Sequence, residues 1–131
     1  MKTKFFEGIE DNLDKISGHK NIEGIIRHSF WDKYDIPGKS FHVASHLVLE
    51  NYKSKELWQY TKNHIHEYDE IDIIISLDDE LSYKYELDNK EKIISSPTLI
   101  YIPAGVNHRA EVIRGTGIFI CIHLDFYKNN K

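Results

Sequence analysis

The sequence has few of the features that mark secreted or membrane-spanning proteins. Its 131 residues include one cysteine, Cys121, so no disulfide can form within the chain, which fits a reducing cytoplasm. The densest apolar stretch, residues 71–77, contains Asp72 and is far shorter than the roughly 20 residues that a membrane span needs. Glu7 and Glu10 interrupt the first segment before the apolar core of a signal peptide can form. We therefore expect a cytoplasmic protein without a membrane span.

Clustered positive charge is also missing. The formal net charge is −4 at pH 7, the lysines are spread along the chain, and the only arginines are Arg27, Arg109 and Arg114. Proteins that bind nucleic acids usually gather basic side chains on one face to neutralise phosphates. No such cluster occurs here, so we expect neither a nucleic-acid partner nor binding to an anionic membrane surface.

What the sequence does contain, from residue 22 onward, is a series of short segments rich in Ile, Tyr and Phe. In residues 41–50, for example, His42, Ala44, His46 and Val48 alternate with a second set that would face the other side. Similar segments, separated by turn signals, occupy residues 22–31, 64–66, 70–76, 81–87, 92–95, 98–102, 108–113 and 117–124. Many short strands without a long helical period predict an all-β fold, an antiparallel sandwich or barrel.

Two segments are less regular, and the length bounds the domain count. Phe6, Ile9, Leu13 and Ile16 have helix-like spacing, so residues 1–21 are predicted to form a short helix or an irregular arm. Residues 52–62 are predicted to form a loop, and residues 35–38 a turn. A chain of 131 residues has the length of one domain, 1–131.

A group of histidines and a carboxylate carries the chemistry. His64 and His66 are one residue apart, so on a strand both imidazoles would point to the same side. A polar turn of three residues would return Glu70 beside them, and His108 follows far along the chain. Imidazole nitrogens with one carboxylate suit divalent iron, nickel, manganese or zinc, and such a set selects none of them.

At these residues the chain resembles the cupin superfamily. The pattern His64-x-His66-x3-Glu70 is similar to the first cupin motif, and Pro103-x-Gly105-x2-His108 is similar to the second. The resemblance implies an antiparallel jelly-roll β-barrel over residues 40–124. It also implies one divalent metal ion bound by the three histidines and Glu70, and, because small cupins are commonly dimers, a homodimer.

The likeness has departures and one further point of contact. Other residues replace the glycines and the asparagine that flank the cupin motifs, at Trp58, Leu77, Pro97 and Val112. Those positions shape turns in the family and do not touch the metal. Residues 41–46, Phe-His-x-Ala-Ser-His, also resemble a segment of small bacterial cupins without a known activity.

Several other polar residues could have either a functional or a structural role. His42 and His46 share a strand face and are our candidates for acid–base catalysis, although buried structural histidines would look the same. Glu67 and Asp69 either orient a ligand or are solvated, and Asp72 has the parity of Glu70. Arg109 is expected to form a surface ion pair. Cys121 and His123 share one face of the last strand, whose inward face the pattern leaves open; Cys121 is read as a small core residue.

Fold alone does not determine function, because cupins include enzymes, storage proteins and sensors. The leading hypothesis is a metal-dependent enzyme of the isomerase, lyase or dioxygenase type that acts on a small polar metabolite. The alternatives are a non-catalytic barrel that binds or senses a small molecule, and a structural barrel.

Overall fold

A computed structural model describes residues 5–15, 23–31, 41–49, 63–77 and 80–124. Within these ranges the chain forms nine strands and a single turn of 3-10 helix, Leu13–Lys15. The strands are β1 (Ile9–Asp11), β2 (Ile25–Trp31), β3 (Phe41–Val48), β4 (Asp69–Ile75), β5 (Ser82–Leu87), β6 (Lys90–Ser95), β7 (Thr98–Ile102), β8 (His108–Arg114) and β9 (Gly117–Leu124). In the same ranges no helix is long and apolar enough to cross a membrane.

The strands form two antiparallel sheets. The larger sheet has the order β1-β2-β3-β9-β4-β7, and the smaller has the order β6-β5-β8. Strand β9 lies between β3 and β4, so the last described strand joins two strands that are close to each other in the sequence. This order brings the inward side chains of β3, β9 and β4 into one continuous surface.

The core lies between the inner faces of the two sheets. The Tyr83 ring from β5 stacks on Phe119 from β9, with 4.8 Å between ring centroids. The buried apolar cluster contains Leu13, Ile25, Val48, Ile74, Leu81, Tyr83, Tyr85, Ile102, Val112 and Phe119. Since both sheets contribute to the cluster, burial of these side chains holds the sheets together.

Two connections show why particular residues end the strands. Asp88 and Asn89 both have positive φ, 49° and 69°, as a two-residue type I′ turn between β5 and β6 requires. Gly115 follows β8 with φ +85°, and a Cβ there would lie 1.7 Å from the Glu80 carbonyl oxygen. Any other residue at position 115 would have to displace that backbone.

The all-β antiparallel architecture is confirmed, with two local corrections. Residues 64–66 do not form a strand: His64 makes only an isolated bridge to His108. In the N-terminal segment the helix predicted from the spacing is wrong over residues 9–11, which form strand β1. Leu13 is buried in the core, while Ile9 is 70% exposed. Pairing with β2 determines the conformation there, and local periodicity does not. The predicted loop at 52–62 and turn at 35–38 lie outside the described residues.

Candidate metal centre

The inner face of the large sheet carries polar side chains at one end. Glu70 on β4 pairs with His123 on β9, which pairs with His42 on β3. We call these three residues the Glu70 row. The next inward row along the strands contains Asp72, Cys121 and Ala44, and the following row contains Ile74, Phe119 and His46. The interior thus changes from polar to apolar along the same three strands.

Backbone hydrogen bonds bring the two histidine segments to this polar end. The His64 amide donates to the His108 carbonyl at 3.0 Å, the His108 amide donates back at 2.9 Å, and the Gly105 amide donates to the His66 carbonyl at 2.9 Å. The imidazole centroids of His64 and His66 lie 4.6 Å apart, and those of His64 and His108 lie 4.3 Å apart. Ile65 between them is 61% exposed, so the two histidine rings turn inward without a regular strand.

Glu70 lies at the centre of these rings. Its Oε1 atom is 3.4 Å from His66 Nε2, 3.3 Å from His108 Nε2 and 3.1 Å from His123 Nε2. One possible ligand atom from each of His64, His66, Glu70 and His108 falls within 4.8 Å of the others. The four residues proposed from the sequence are therefore brought together around one point.

The donor atoms are suited to a metal ion. The Nε2 atoms of His66 and His108 are buried and have no partner with hydrogen-bond geometry. His108 Nδ1 lies 2.9 Å from the Val106 carbonyl, an acceptor, so Nδ1 carries the proton and the neutral ring keeps a lone pair on Nε2. A divalent ion between these nitrogens and Glu70 would satisfy groups that are otherwise costly to bury.

The protonation of the site reflects strong coupling between its groups. Burial raises the pKa of Glu70, but the imidazoles of His108, His123 and His66, which lie close to its carboxylate, lower it by more, so the pKa lies below its usual value. For His108, burial lowers the pKa, and the hydrogen bond and charge of Glu70 raise it above its usual value. Glu70 is therefore ionised, as a metal ligand must be.

Asp72 lies on the same inward face of β4 and is completely buried. The Tyr85 hydroxyl donates a 2.7 Å hydrogen bond to Asp72 Oδ2, while Asp72 Oδ1 has no hydrogen-bond partner. Burial, followed by the charge of Glu70, raises the pKa of Asp72 well above its usual value. The inward direction that its parity suggested is the one observed.

The two proposed acid–base histidines lie in different surroundings. His42 is half-buried in the Glu70 row, and Arg27 donates to its Nε2 at 3.1 Å, so the neutral ring carries its proton on Nδ1. Arg27 is itself buried and is paired with Asp11 and Ser29. His46, only 3% exposed, packs against Phe119 with 5.4 Å between ring centroids, four residues along β3 from His42.

Asp69 and Arg109, which flank the ligands, have structural contacts. Asp69 accepts hydrogen bonds from the Tyr101 hydroxyl and, at 2.9 Å, from the Ala104 amide, so it fastens the loop that precedes His108. These bonds lower the pKa of Asp69. Arg109 points to the opposite face and pairs with Glu111 at 2.7 Å, as expected for an ion pair away from the site.

Sequence reasoning missed the part played by His123, Tyr68 and Arg27. Tyr68 stacks on His66 and lies 4.8 Å from His123 between ring centroids. The pattern of β9 could not identify its inner face, because Ile118, Ile120 and Ile122 alternate with an equally apolar Phe119 and Cys121. Arg27 finds its acidic partner on β1, a strand that the helical spacing concealed.

Solved structures of cupins have a similar fold. An RmlC-like cupin from Shewanella frigidimarina matches with a TM-score of 0.55 at 14% identity, over 96% of this chain and 89% of that chain. The polyketide cyclase RemF from Streptomyces resistomycificus matches with a TM-score of 0.56 at 16% identity, over 95% of this chain and 79% of that chain. A variant of oxalate decarboxylase from Bacillus subtilis matches with a TM-score of 0.55 at 10% identity. The match covers 97% of this chain but only 31% of that chain.

No family model matches the sequence, and no curated protein matches it. The class is therefore defined by fold: the chain has the jelly-roll fold of the cupins. It is a cupin-fold protein with a cluster of histidines and a glutamate that fits a metal ion.

Proposed function

We propose that this protein is a metal-dependent enzyme that acts on a small polar metabolite with a carbonyl, carboxylate or enol group. One divalent ion, held by His64, His66, Glu70 and His108, is its cofactor. The observation that carries the proposal is the convergence of the buried Nε2 atoms of His66 and His108, neither of which makes a hydrogen bond, on the Glu70 carboxylate. When bound, the ion supplies a Lewis acid that polarises a substrate oxygen.

The residues of the chain supply the remaining elements. His108 is held in one tautomer by the Val106 carbonyl, and Tyr68 stacks on His66, so the ligand rings are oriented in advance. His42, in the Glu70 row, is the residue that we propose moves a proton, with its ring oriented by Arg27. His46 was the second candidate, but its packing against Phe119 favours a structural role.

The reaction type depends on which metal the site holds. The proteins that share the fold include a polyketide cyclase and an oxalate decarboxylase, and the oxalate decarboxylase of Bacillus subtilis has Mn(II) centres. This supports manganese among the four candidate ions, which are iron, nickel, manganese and zinc. Iron would favour a dioxygenase, and the other ions would favour isomerase or lyase chemistry, for which a Lewis acid and a proton carrier are sufficient.

Elemental mass spectrometry of the protein purified without chelator tests the metal site. We expect the wild type to contain one equivalent at this site and the His64→Ala, His66→Ala double variant to lose that equivalent, with the same far-ultraviolet circular dichroism. His28→Ala is the matched control, because His28 lies on the outer face of β2. A double variant that contains as much metal as the wild type would contradict the proposed ligand set.

A second test separates an enzyme from a non-catalytic binder. An enzyme consumes a metabolite, and its turnover changes when one metal is exchanged for another. A binder returns its ligand unchanged and gains about 2.7 kcal/mol of stability when the ligand is at about 100 times its dissociation constant. Binding of a metabolite without its conversion, with each of the four metals, would favour the sensory alternative.

We also propose that two copies of the chain associate through the outer face of the large sheet. Antiparallel sheets that face water usually carry polar residues there, yet the outward positions of β9 and the centre of β4 are apolar. These positions are Ile118, Ile120, Ile122, Leu124, Ile71 and Ile73. None of these six side chains is charged, so two copies related by a two-fold axis meet at them without like-charge repulsion.

Light scattering over a range of concentrations tests the homodimer. We expect a dimer for the wild type and a monomer for Ile120→Lys, whereas Ile93→Lys on the exposed small sheet stays dimeric. A wild-type monomer at all concentrations would refute the proposal. The cytoplasmic location stays a prediction from the sequence.

A further inference from the structure

A second set of metal ligands lies directly beside the first. Glu70 on β4, together with Cys121 and His123 on β9, places one carboxylate oxygen, the thiol sulfur and one imidazole nitrogen within 4.8 Å of one another. Residues 121 and 123 face the same side because they are two apart on a strand. His123 pairs with Glu70 and Cys121 pairs with Asp72, so the four side chains form a two-by-two array on neighbouring strands.

The spacing of the donor atoms resembles that in a coordination sphere. Cys121 Sγ lies 3.2 Å from His123 Nε2, and His123 Nε2 lies 3.1 Å from Glu70 Oε1. Ligand atoms about 2.1 Å from a tetrahedral ion would be about 3.4 Å from one another. The donor atoms therefore need to move apart only by a few tenths of an ångström to hold an ion between them.

A separate observation at the neighbouring position also points to a bound cation. Asp72 is completely buried next to Cys121, and its Oδ1 atom has no hydrogen-bond partner. Glu70 and Asp72 thus bring two buried carboxyl groups to the same face of β4, and a buried carboxyl oxygen without a partner is costly.

We propose that Glu70, Cys121 and His123 form a second metal position, adjacent to the first and sharing the Glu70 carboxylate. The thiolate and imidazole donors suit a thiophilic divalent ion such as zinc or cobalt. On binding, the ion forms a bond to sulfur, the S–H bond breaks, and the proton is released to solvent. Asp72, oriented by Tyr85, lies beside Cys121 in the same array.

Titration of the reduced, metal-free protein with Co(II) tests the second position. The chain has one cysteine, so a thiolate-to-cobalt charge-transfer band in the near ultraviolet can arise only from Cys121. We expect two equivalents of bound cobalt and this band in the wild type. Cys121→Ser should lose the band and one equivalent, and His123→Asn should lose the same equivalent if the serine variant folds poorly. Ile122→Val, on the opposite face of β9, is the matched control and should behave as the wild type does.

The His64→Ala, His66→Ala variant separates this inference from the proposed function, with which it shares Glu70. We expect that variant to keep one equivalent of cobalt with the thiolate band. Absence of the band in the wild type at every cobalt ratio would overturn the second position and leave the first intact. If the wild type binds one equivalent of cobalt with the band, and the double variant has no band, the two sets of ligands form a single mixed site. That result would also overturn the second position. If only the first site fails, the wild type and the double variant should each bind one equivalent of cobalt and show the thiolate band.

Discussion

The two ends of the inner face of the large sheet have opposite characters although the same strands build them. At the site end, β4 carries Glu70 and Asp72 and β9 carries His123 and Cys121. At the other end, β4 continues into Ile74, which is buried against the apolar cluster that includes Phe119 of β9. Buried polar groups cost free energy, and buried apolar groups supply it. The comparison teaches that the apolar end stabilises a fold whose polar end is arranged for chemistry.

The largest effect on stability is expected from the apolar end. Phe119→Ala removes a ring that stacks on Tyr83, and truncation of a buried aromatic side chain costs about 3–5 kcal/mol. The free energy of unfolding, measured with denaturant in the presence of chelator, should fall by that amount, while the folded fraction still binds metal. Leu99→Ala, on the exposed side of β7, is the control and should change stability by about 0.5 kcal/mol or less.

A loss below about 1 kcal/mol for Phe119→Ala would contradict its place in the core. Loss of the metal from the folded variant would contradict the separation of the two ends. Either result would mean that stability and metal binding are not divided between the apolar and the polar end of the inner face.

A smaller effect is expected where the two ends meet. Tyr85→Phe removes the hydroxyl that donates to buried Asp72 Oδ2 and leaves that oxygen without its partner. Such a loss costs about 1–3 kcal/mol, which denaturant unfolding of the metal-free protein would measure. The control is the same change in an Asp72→Ala background, where removal of the Tyr85 hydroxyl should cost less than in the wild type. An equal cost in both backgrounds would show that the Asp72 bond is not the cause.

Metal affinity should depend on pH through His108. Because Glu70 raises the pKa of His108 above its usual 6.5, protons compete with the metal at this nitrogen already near neutral pH. Below the raised pKa, the affinity should fall by about tenfold per pH unit, since one proton must leave for each ion that binds. Competition with a chelator of known affinity between pH 5.5 and about 8 would measure the slope. A flat profile would exclude His108 as the competing group.

The smallest effect concerns the loop that precedes His108. The hydrogen bond from Tyr101 lowers the pKa of Asp69 below 3.8, so the carboxylate adds stability above that value and loses it as pH falls through the lowered pKa. Tyr101→Phe should move the pKa of Asp69 back toward 3.8, and the stability difference from the wild type should vanish at acidic pH. Carbon-detected NMR titration of the Asp69 carboxyl would measure the shift, with Tyr68→Phe as the control. An unchanged pKa would show that the Ala104 amide dominates.

Much of the fold could be predicted because alternation is local. The segments at 70–76, 98–102 and 117–124 differ from β4, β7 and β9 by no more than a residue at either end. A turn was also predicted between the segments at 81–87 and 92–95, where Asp88 and Asn89 adopt the positive φ angles that Asp and Asn tolerate. The N-terminal segment failed because pairing with β2, and not its own spacing, determines its conformation.

The candidate site was predictable only where motif and parity agreed. His64, His66, Glu70 and His108 were proposed from their spacing, and the structure brings them together. His123 could not be assigned, because β9 is apolar on both faces and parity alone cannot choose the inner one. His42 and His46 were equivalent in the pattern; the register of β3 against β9 places His42 beside His123 and His46 beside Phe119.

The sequence by itself determined the all-β class, most strand positions and the set of residues able to bind a metal, because these depend on side-chain chemistry and on a period of two. Only the tertiary structure decided which of these side chains meet. The order β3-β9-β4 places a strand from the end of the described chain between two earlier ones, and so puts His123 and Cys121 beside Glu70 and Asp72. Contacts of that kind arise from pairing between distant segments, and no local pattern encodes them.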